Sequence, residues 1–450
     1  MNGHLLIKNA TLILPDGIVE GDLRVIGGSI STIATGGGLD AGSNEAVIDA
    51  TGLHLLPGAI DPHVHFREPG NTEKEDLESG SRAAAAGGVT SFLDMPNNNP
   101  NATNRSGLER KISIASKKSV THHGFFIGAT KDNISDLQNV EGMDGVCGIK
   151  IFMGSSTGDL LVHEQQHLEN IFANTGGIIA THAEDEERLQ QRYAEFKHRT
   201  DIASHAECRD VECAFLATKR AAALANEHDH RLHIVHLTSQ KEADWLSKNK
   251  GDLITTEVCT QHLTFDQDDV ESLGERVLMN PPIRYTEDRD ALWRRLKDGT
   301  IDCVVTDHAP HTLKSKSAGF PNAPAGMPGV ETSLPLMLTH ALDGKCSVSE
   351  VVSWMCEGPA KVYGIKNKGS LIEGYDADLT LVDLENKRTI TDADTWTRVG
   401  WTPYDGMELT GWPRYTIVDG EVVHKREEEG ALRGLPVALP GSAGRAIRFS

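Results

Sequence analysis

The sequence is short of basic residues, has no CxxC pair and contains no long apolar run. Forty-four Lys and Arg stand against 65 Asp and Glu, for a formal net charge of −21. Phosphate backbones and anionic bilayers are held by clustered cations, so this balance argues against a nucleic-acid or membrane-surface partner. A small anionic substrate stays admissible, because one buried Arg outweighs a distant field. No apolar stretch reaches the ~18 residues of a membrane span. The opening MNGHLLIKNATLILPDG lacks the basic and apolar segments of a secretory leader. The seven cysteines, at 147, 208, 213, 259, 303, 346 and 356, read as reduced thiols of a soluble cytoplasmic protein.

What the chain does have is size and histidine. Its 450 residues, 38% of them hydrophobic, admit about three ordinary domains, or one barrel of ~250 residues with a satellite. Strand-like runs (GVTSFLDM, VCGIKIF, GGIIATH, RLHIVHLT, DLITTEV, IDCVVTD) alternate with helix-like runs (LESGSRAAAAGG, CRDVECAFLATKRAAALANEHD, TEDRDALWRRLKDG). That alternation predicts an α/β fold, a parallel (β/α) barrel. Residues 1 to about 55 and the stretch holding DADLTLVDL, ITDADTW and YTIVDGEVVH read as short strands that pair into one small β domain. Residues 312–329 form a loop too long to be idle, and the Pro- and Gly-rich end reads as an extended arm or mobile tail.

The placement of the 20 histidines carries the functional argument. His63 and His65 form an HxH pair after an apolar run, and residues i and i+2 of a strand share a face. His182 closes GGIIATH, His236 closes RLHIVH and Asp307 closes IDCVVTD. Alone, an HxH pair is equally well two surface histidines. Recurrence of candidate ligands where apolar strands turn polar points instead to one site at the C-terminal rim of a barrel. Imidazoles with a carboxylate suit Zn²⁺ or another borderline divalent ion. His233 falls on the opposite face from His236 by strand alternation and reads as structural. Lys150 stands in the apolar run GIKIF; a buried amine is costly unless paired or neutral, and a neutral amine can add CO₂ and become an anionic carbamate able to bridge two metals. Arg67, two residues after His65, points into the same pocket by alternation, and its guanidinium fork matches a carboxylate.

The order HxH…K…H…H…D resembles the amidohydrolase superfamily. More closely, DPHVHFREPG, DMPNNNP, GIKIFMGSSTG, THAED, HIVHLT, MNPPIR, TDHAPH and PAGMPGVET resemble the dihydroorotase family, over nearly the whole chain to about residue 425. The resemblance implies a (β/α)₈ barrel over 56–365, a β-sandwich built from 1–55 and 366–430, and a C-terminal extension at 431–450. It implies two Zn²⁺ per subunit held by His63, His65, carboxylated Lys150, His182, His236 and Asp307, with Asp307 also the proton carrier. It implies substrate contacts from Arg67, Asn97, Asn280, His311 and the backbone of Ala325 and Gly326. The reaction would be the reversible cyclisation of N-carbamoyl-L-aspartate to (S)-dihydroorotate in pyrimidine synthesis. A homo-oligomer, most simply a dimer, also follows from the resemblance, and association with aspartate transcarbamoylase stays open. Two other readings stay open: an allantoinase or hydantoinase-type cyclic amidase, which Arg67 disfavours because those rings carry no carboxylate, and a non-catalytic scaffold of the same fold.

Overall fold

The apolar runs that alternate with helices become eight parallel strands, which we label β1 (Ala59–Val64), β2 (Val89–Asp94), β3 (His122–Gly128), β4 (Val146–Phe152), β5 (Ile178–His182), β6 (Arg231–Ile234), β7 (Ile254–Cys259) and β8 (Cys303–Val305). The computed structural model describes residues 4–156, 160–426, 435–436, 441 and 443–449. Pairing follows chain order from β1 to β8, as successive strand–helix–strand crossovers require. β1 and β8 meet through one parallel bridge, Val64 to His308. Asp61 reinforces the seam: its carboxylate accepts from the Thr306 hydroxyl at 2.5 Å and the Thr306 amide at 3.3 Å. The sheet thus curls into a nearly closed barrel, whose C-terminal rim is where such folds place their chemistry.

Helices pack outside the strands for reasons written in their sequences. Leu77–Ala86 begins at Asp76, which caps Ser79 in a capping box, and buries the run Ala83–Ala86; small side chains let the helix sit close to the sheet. A Cβ on Gly80 would lie 2.6 Å from the Phe66 ring, so glycine there seats the residue that follows the HxH pair. Val211–Glu227 starts at Asp210, whose side chain accepts from the Cys213 amide, and buries an alanine-rich face.

Both ends of the chain supply one nine-stranded sheet. The N-terminal strands His4–Leu14, Gly17–Ile26, Ser29–Thr35, Ala46–Asp49 and His54–Pro57 join Leu379–Asp383, Trp412–Val418, Glu421–Lys425 and Leu435–Pro436. The join is antiparallel, with Leu55 opposite Leu381. Leu12, Leu23, Leu55, Leu379, Leu381 and Ile417 form its core. One local expectation needs correcting, and one strand has no counterpart in the sequence reading. ITDADTW is not a strand: Thr391 and Asp394 make a capping box around a 3₁₀ turn at Asp392–Asp394, because short polar side chains compete with ladder hydrogen bonds. HHGFFIG, unread in the sequence because a His-His start and a glycine hide its period, is β3.

Of the extension expected at 431–450, residues 435–436, 441 and 443–449 are described and the others lie outside the described residues. The part seen is docked. Ala446 bridges His123 in parallel, and the Ile447 amide donates to the His123 carbonyl at 3.0 Å. Arg445 pairs with Asp419 at 2.6 Å and Asp376 at 3.0 Å. Among the described residues no helix is long and apolar enough to cross a membrane.

Candidate metal centre

The strands deliver the site residues to one rim. His63 stands in β1 and His182 ends β5. His65, Arg67, His236 and Asp307 lie one to three residues beyond the ends of β1, β6 and β8. Alternation does bring His63 and His65 to one side, but it is not what aims the other three. Arg67, His236 and Asp307 take left-handed φ values of 63°, 39° and 45°, conformations that cost a non-glycine residue about 1–3 kcal/mol each and persist only where the surrounding structure over-determines them. This corrects the reasoning for Arg67: it reaches the pocket through a backbone reversal. It also corrects His233. The reversal at His236 resets the alternation, so both histidines meet the same buried network.

Nitrogen and oxygen donors converge in two groups. The Nε2 atoms of His63 and His65 lie 3.3 and 3.0 Å from the same oxygen of Asp307. His182 Nδ1 and His236 Nε2 face each other at 2.9 Å. Three of the four imidazoles are held from behind. His63 Nδ1 meets Glu257 at 2.5 Å, His65 Nδ1 meets the Asn97 amide oxygen at 2.7 Å, and His182 Nε2 meets Glu184 at 2.8 Å. An acceptor on the outer nitrogen fixes the proton there and leaves the inner nitrogen a free lone pair, the usual arrangement behind metal-ligating histidines. Burial pushes His65 down to about 4, although Asp307 pulls the other way. Burial would raise Asp307, but His63 and His65 outweigh it and hold the carboxylate at about 2. A neutral His65 imidazole beside an ionised Asp307 carboxylate is in its ligating form.

Lys150 lies on β4, 1% exposed, and its Nζ has no hydrogen-bond partner among the described residues. Burial drives the amine down to about 8, against the pull of Glu257 and Asp307. That amine stands as an orphan among the histidines of the cavity. The donor set and this orphan fit a divalent metal centre, and His63, His65 and Asp307 offer ligand atoms within 4.8 Å of one another. One cavity is lined by all six candidate ligands.

The substrate-side candidates surround the same cavity. Arg67, Asn97, Asn280, Ala325 and Gly326 line it. His311 stands behind Arg67, with Nε2 at 3.3 Å from the guanidinium; burial first, then Arg67, pushes it down to about 2, so it is a neutral acceptor there. Burial lowers Arg67 to about 10, still charged at neutral pH. Asn280 accepts from His205 at 3.0 Å. Gly326 has φ 125°, and a Cβ on it would meet the Ala309 carbonyl at 2.4 Å, so only glycine fits this wall.

Sequence reasoning missed the residues behind the ligands. Glu257 holds His63 with one oxygen and His233 with the other, at 2.9 Å. Glu184 is clamped by Arg209, whose Nε lies 3.1 and 3.2 Å from its two oxygens. The signal was available: Glu257 is a charge inside the strand DLITTEV, the same anomaly that drew attention to Lys150.

Residues 54–423 match the model of the amidohydrolase family. A dihydroorotase of Methanosarcina acetivorans is 35% identical over 98% of this chain and 96% of its own. An allantoinase of Deinococcus radiodurans is 33% identical over 96% and 98%. In three dimensions an L-hydantoinase (dihydropyrimidinase) from Arthrobacter aurescens covers 99% of both chains with a TM-score of 0.91 at 29% identity.

Proposed function

The chain belongs to the amidohydrolase family, and from that premise we propose that it is a dihydroorotase, which closes N-carbamoyl-L-aspartate to (S)-dihydroorotate and water and runs the reverse hydrolysis. The observation that carries the substrate is Arg67, a buried guanidinium in the wall of the metal cavity. Of the rings its relatives' names imply, dihydroorotate is the one with a carboxylate for that fork to hold. Dihydroorotases of Methanosarcina mazei and Bacillus subtilis, at 34% identity each over 97% and 95% of this chain, point the same way.

His63, His65, His182, His236, Asp307 and Lys150, as its carbamate, would hold two Zn²⁺. When bound, the pair supplies a water ionised near neutral pH and Lewis-acid polarisation of the ring carbonyl. The protein does the rest. Arg67 binds the ring carboxylate, with Asn97 beside it and His311 behind the guanidinium. Asn280 and the Ala325–Gly326 backbone receive the ring's amide edge. Asp307 takes the proton of the attacking water and returns it to the leaving ring nitrogen, so one carboxylate serves as base and then acid. The barrel of 56–365 carries this chemistry, and the domain from 1–55 and 366–430 flanks it. A cytoplasmic homodimer, open to association with aspartate transcarbamoylase, completes the reading.

The test is turnover of dihydroorotate against allantoin and hydantoin by protein loaded with Zn²⁺ in bicarbonate. Hydrolysis of dihydroorotate alone is expected. Preference for allantoin would replace this reading with the allantoinase one, and no turnover of any ring would leave a scaffold.

A further inference from the structure

Lys316 is 2% exposed and does not line the metal cavity, yet every proton of its ammonium is committed. Nζ donates to the carbonyls of Leu278 at 3.1 Å, Pro324 at 3.0 Å and Gly326 at 2.9 Å. Among the described residues no carboxylate pairs with it, and Glu275 acts on it only from a distance. Burial pulls the Lys316 amine down to about 7; three carbonyls match the three donors of its protonated form, which is the form they favour.

Those carbonyls belong to the walls of the cavity. Leu278 stands two residues before Asn280, and its carbonyl also accepts the Gly326 amide at 2.8 Å. Pro324 and Gly326 flank and include the Ala325–Gly326 pair that lines the cavity. The third connection runs along the chain. Lys316 ends the helical turn Leu313–Lys316, capped by Thr312, and His311 is the residue before that cap. The segments carrying His311, Asn280 and Ala325–Gly326 thus meet at one nitrogen, while His205 braces Met279 and Asn280 from another side at 3.0 Å each.

We infer that Lys316 is a positioning residue, whose ammonium binds three backbone carbonyls and so sets the spacing of the walls that grip the substrate ring. This deepens the dihydroorotase reading and rests on it. The ligand it serves is a cyclic ureide with a planar amide edge, because backbone walls held at fixed spacing discriminate by the placement of ring N–H and C=O groups. The lysine touches neither metal nor reacting atoms, so its loss acts on binding and leaves the chemical step in place.

The experiment compares wild type with K316M, which keeps length and apolar bulk and removes the donors. Three quantities are read in metal-loaded protein: steady-state hydrolysis of dihydroorotate, zinc per chain, and the Kd of orotate by calorimetry. The expected result is a KM raised about tenfold or more, a matching rise in the orotate Kd, kcat changed by less than about threefold, and unchanged zinc. K316R, which keeps the charge but cannot aim three donors from one atom, is expected to fall between the two. Unchanged KM and Kd in active protein would overturn the role of Lys316 while leaving the dihydroorotase reading intact. Inactive wild type would sink that reading instead. Equal losses in kcat and zinc, or failure of both variants to fold, would make Lys316 a folding element and refute the positioning role.

Discussion

Removing Arg209 tests whether the carboxylates behind the ligands are part of the metal site. Arg209 is 1% exposed and Glu184 is fully buried. The guanidinium meets both oxygens of Glu184, the Ser155 carbonyl at 2.9 Å and the Tyr193 hydroxyl at 2.5 Å. Burial alone would raise Glu184, but Arg209 and His182 together hold it at about 2. In Arg209→Met that carboxylate is left buried beside one imidazole, and breaking such a pair costs about 3–5 kcal/mol. The other route is protonation of Glu184, which turns the acceptor of the His182 Nε2 proton into a competing donor. By that second route His182 loses the fixed orientation of its Nδ1, and loss of such support lowers metal affinity by about 10–100-fold. Urea unfolding of chelator-treated protein measures the first effect, and competition with a chromogenic chelator measures the second. The pair Arg209→Met with Glu184→Gln removes both charges, so a double-mutant cycle is expected to show strong coupling, with the double variant more stable than Arg209→Met alone. A loss below about 1 kcal/mol with wild-type zinc affinity would refute the reasoning.

Arg67→Met is expected to raise KM for dihydroorotate with zinc content unchanged; zinc loss would mean that Arg67 supports the metal site instead. Asp307→Asn should lower turnover by about 10²-fold or more, and a near-normal rate would end its role as proton carrier. Burial holds His123, His205 and His262 near 4, below their unfolded value. The unfolded chain therefore binds more protons between pH 6.5 and 4, and stability falls as pH drops through that window. From pH 7 to 5.5 the loss is about 1.2 kcal/mol per histidine, roughly 3–4 together, and a urea midpoint that does not move over that range would contradict it. Ile447, 1% exposed in the docked arm, is expected to cost about 2–4 kcal/mol on change to Ala; a cost under 0.5 kcal/mol would mean that the arm adds nothing to stability.

The barrel was legible because its strands are apolar runs that end in polar residues, a pattern that survives without any knowledge of pairing. The ligands were legible because each sits where that pattern breaks. Their aim was not. Arg67, His236 and Asp307 turn on left-handed backbone that no periodicity encodes, so alternation puts Arg67 in the right pocket for the wrong reason and His233 on the wrong side. Glu257 and Glu184 escaped because their meaning is relational: each is defined by a histidine on another strand. Lys316 was invisible for a stronger reason, since its partners are carbonyls, which every residue has.

The antiparallel join of His54–Pro57 to Leu379–Asp383 sets a timetable for synthesis. The two segments are separated by more than 300 residues, so at about 5–20 residues per second the early strand waits on the order of tens of seconds for its neighbour to leave the ribosome. Throughout that interval a hydrophobic ribbon presents open backbone donors and acceptors to any passing chain. Translation speed and chaperone supply, more than the strength of the finished core, would then govern the yield of intact protein in a cell.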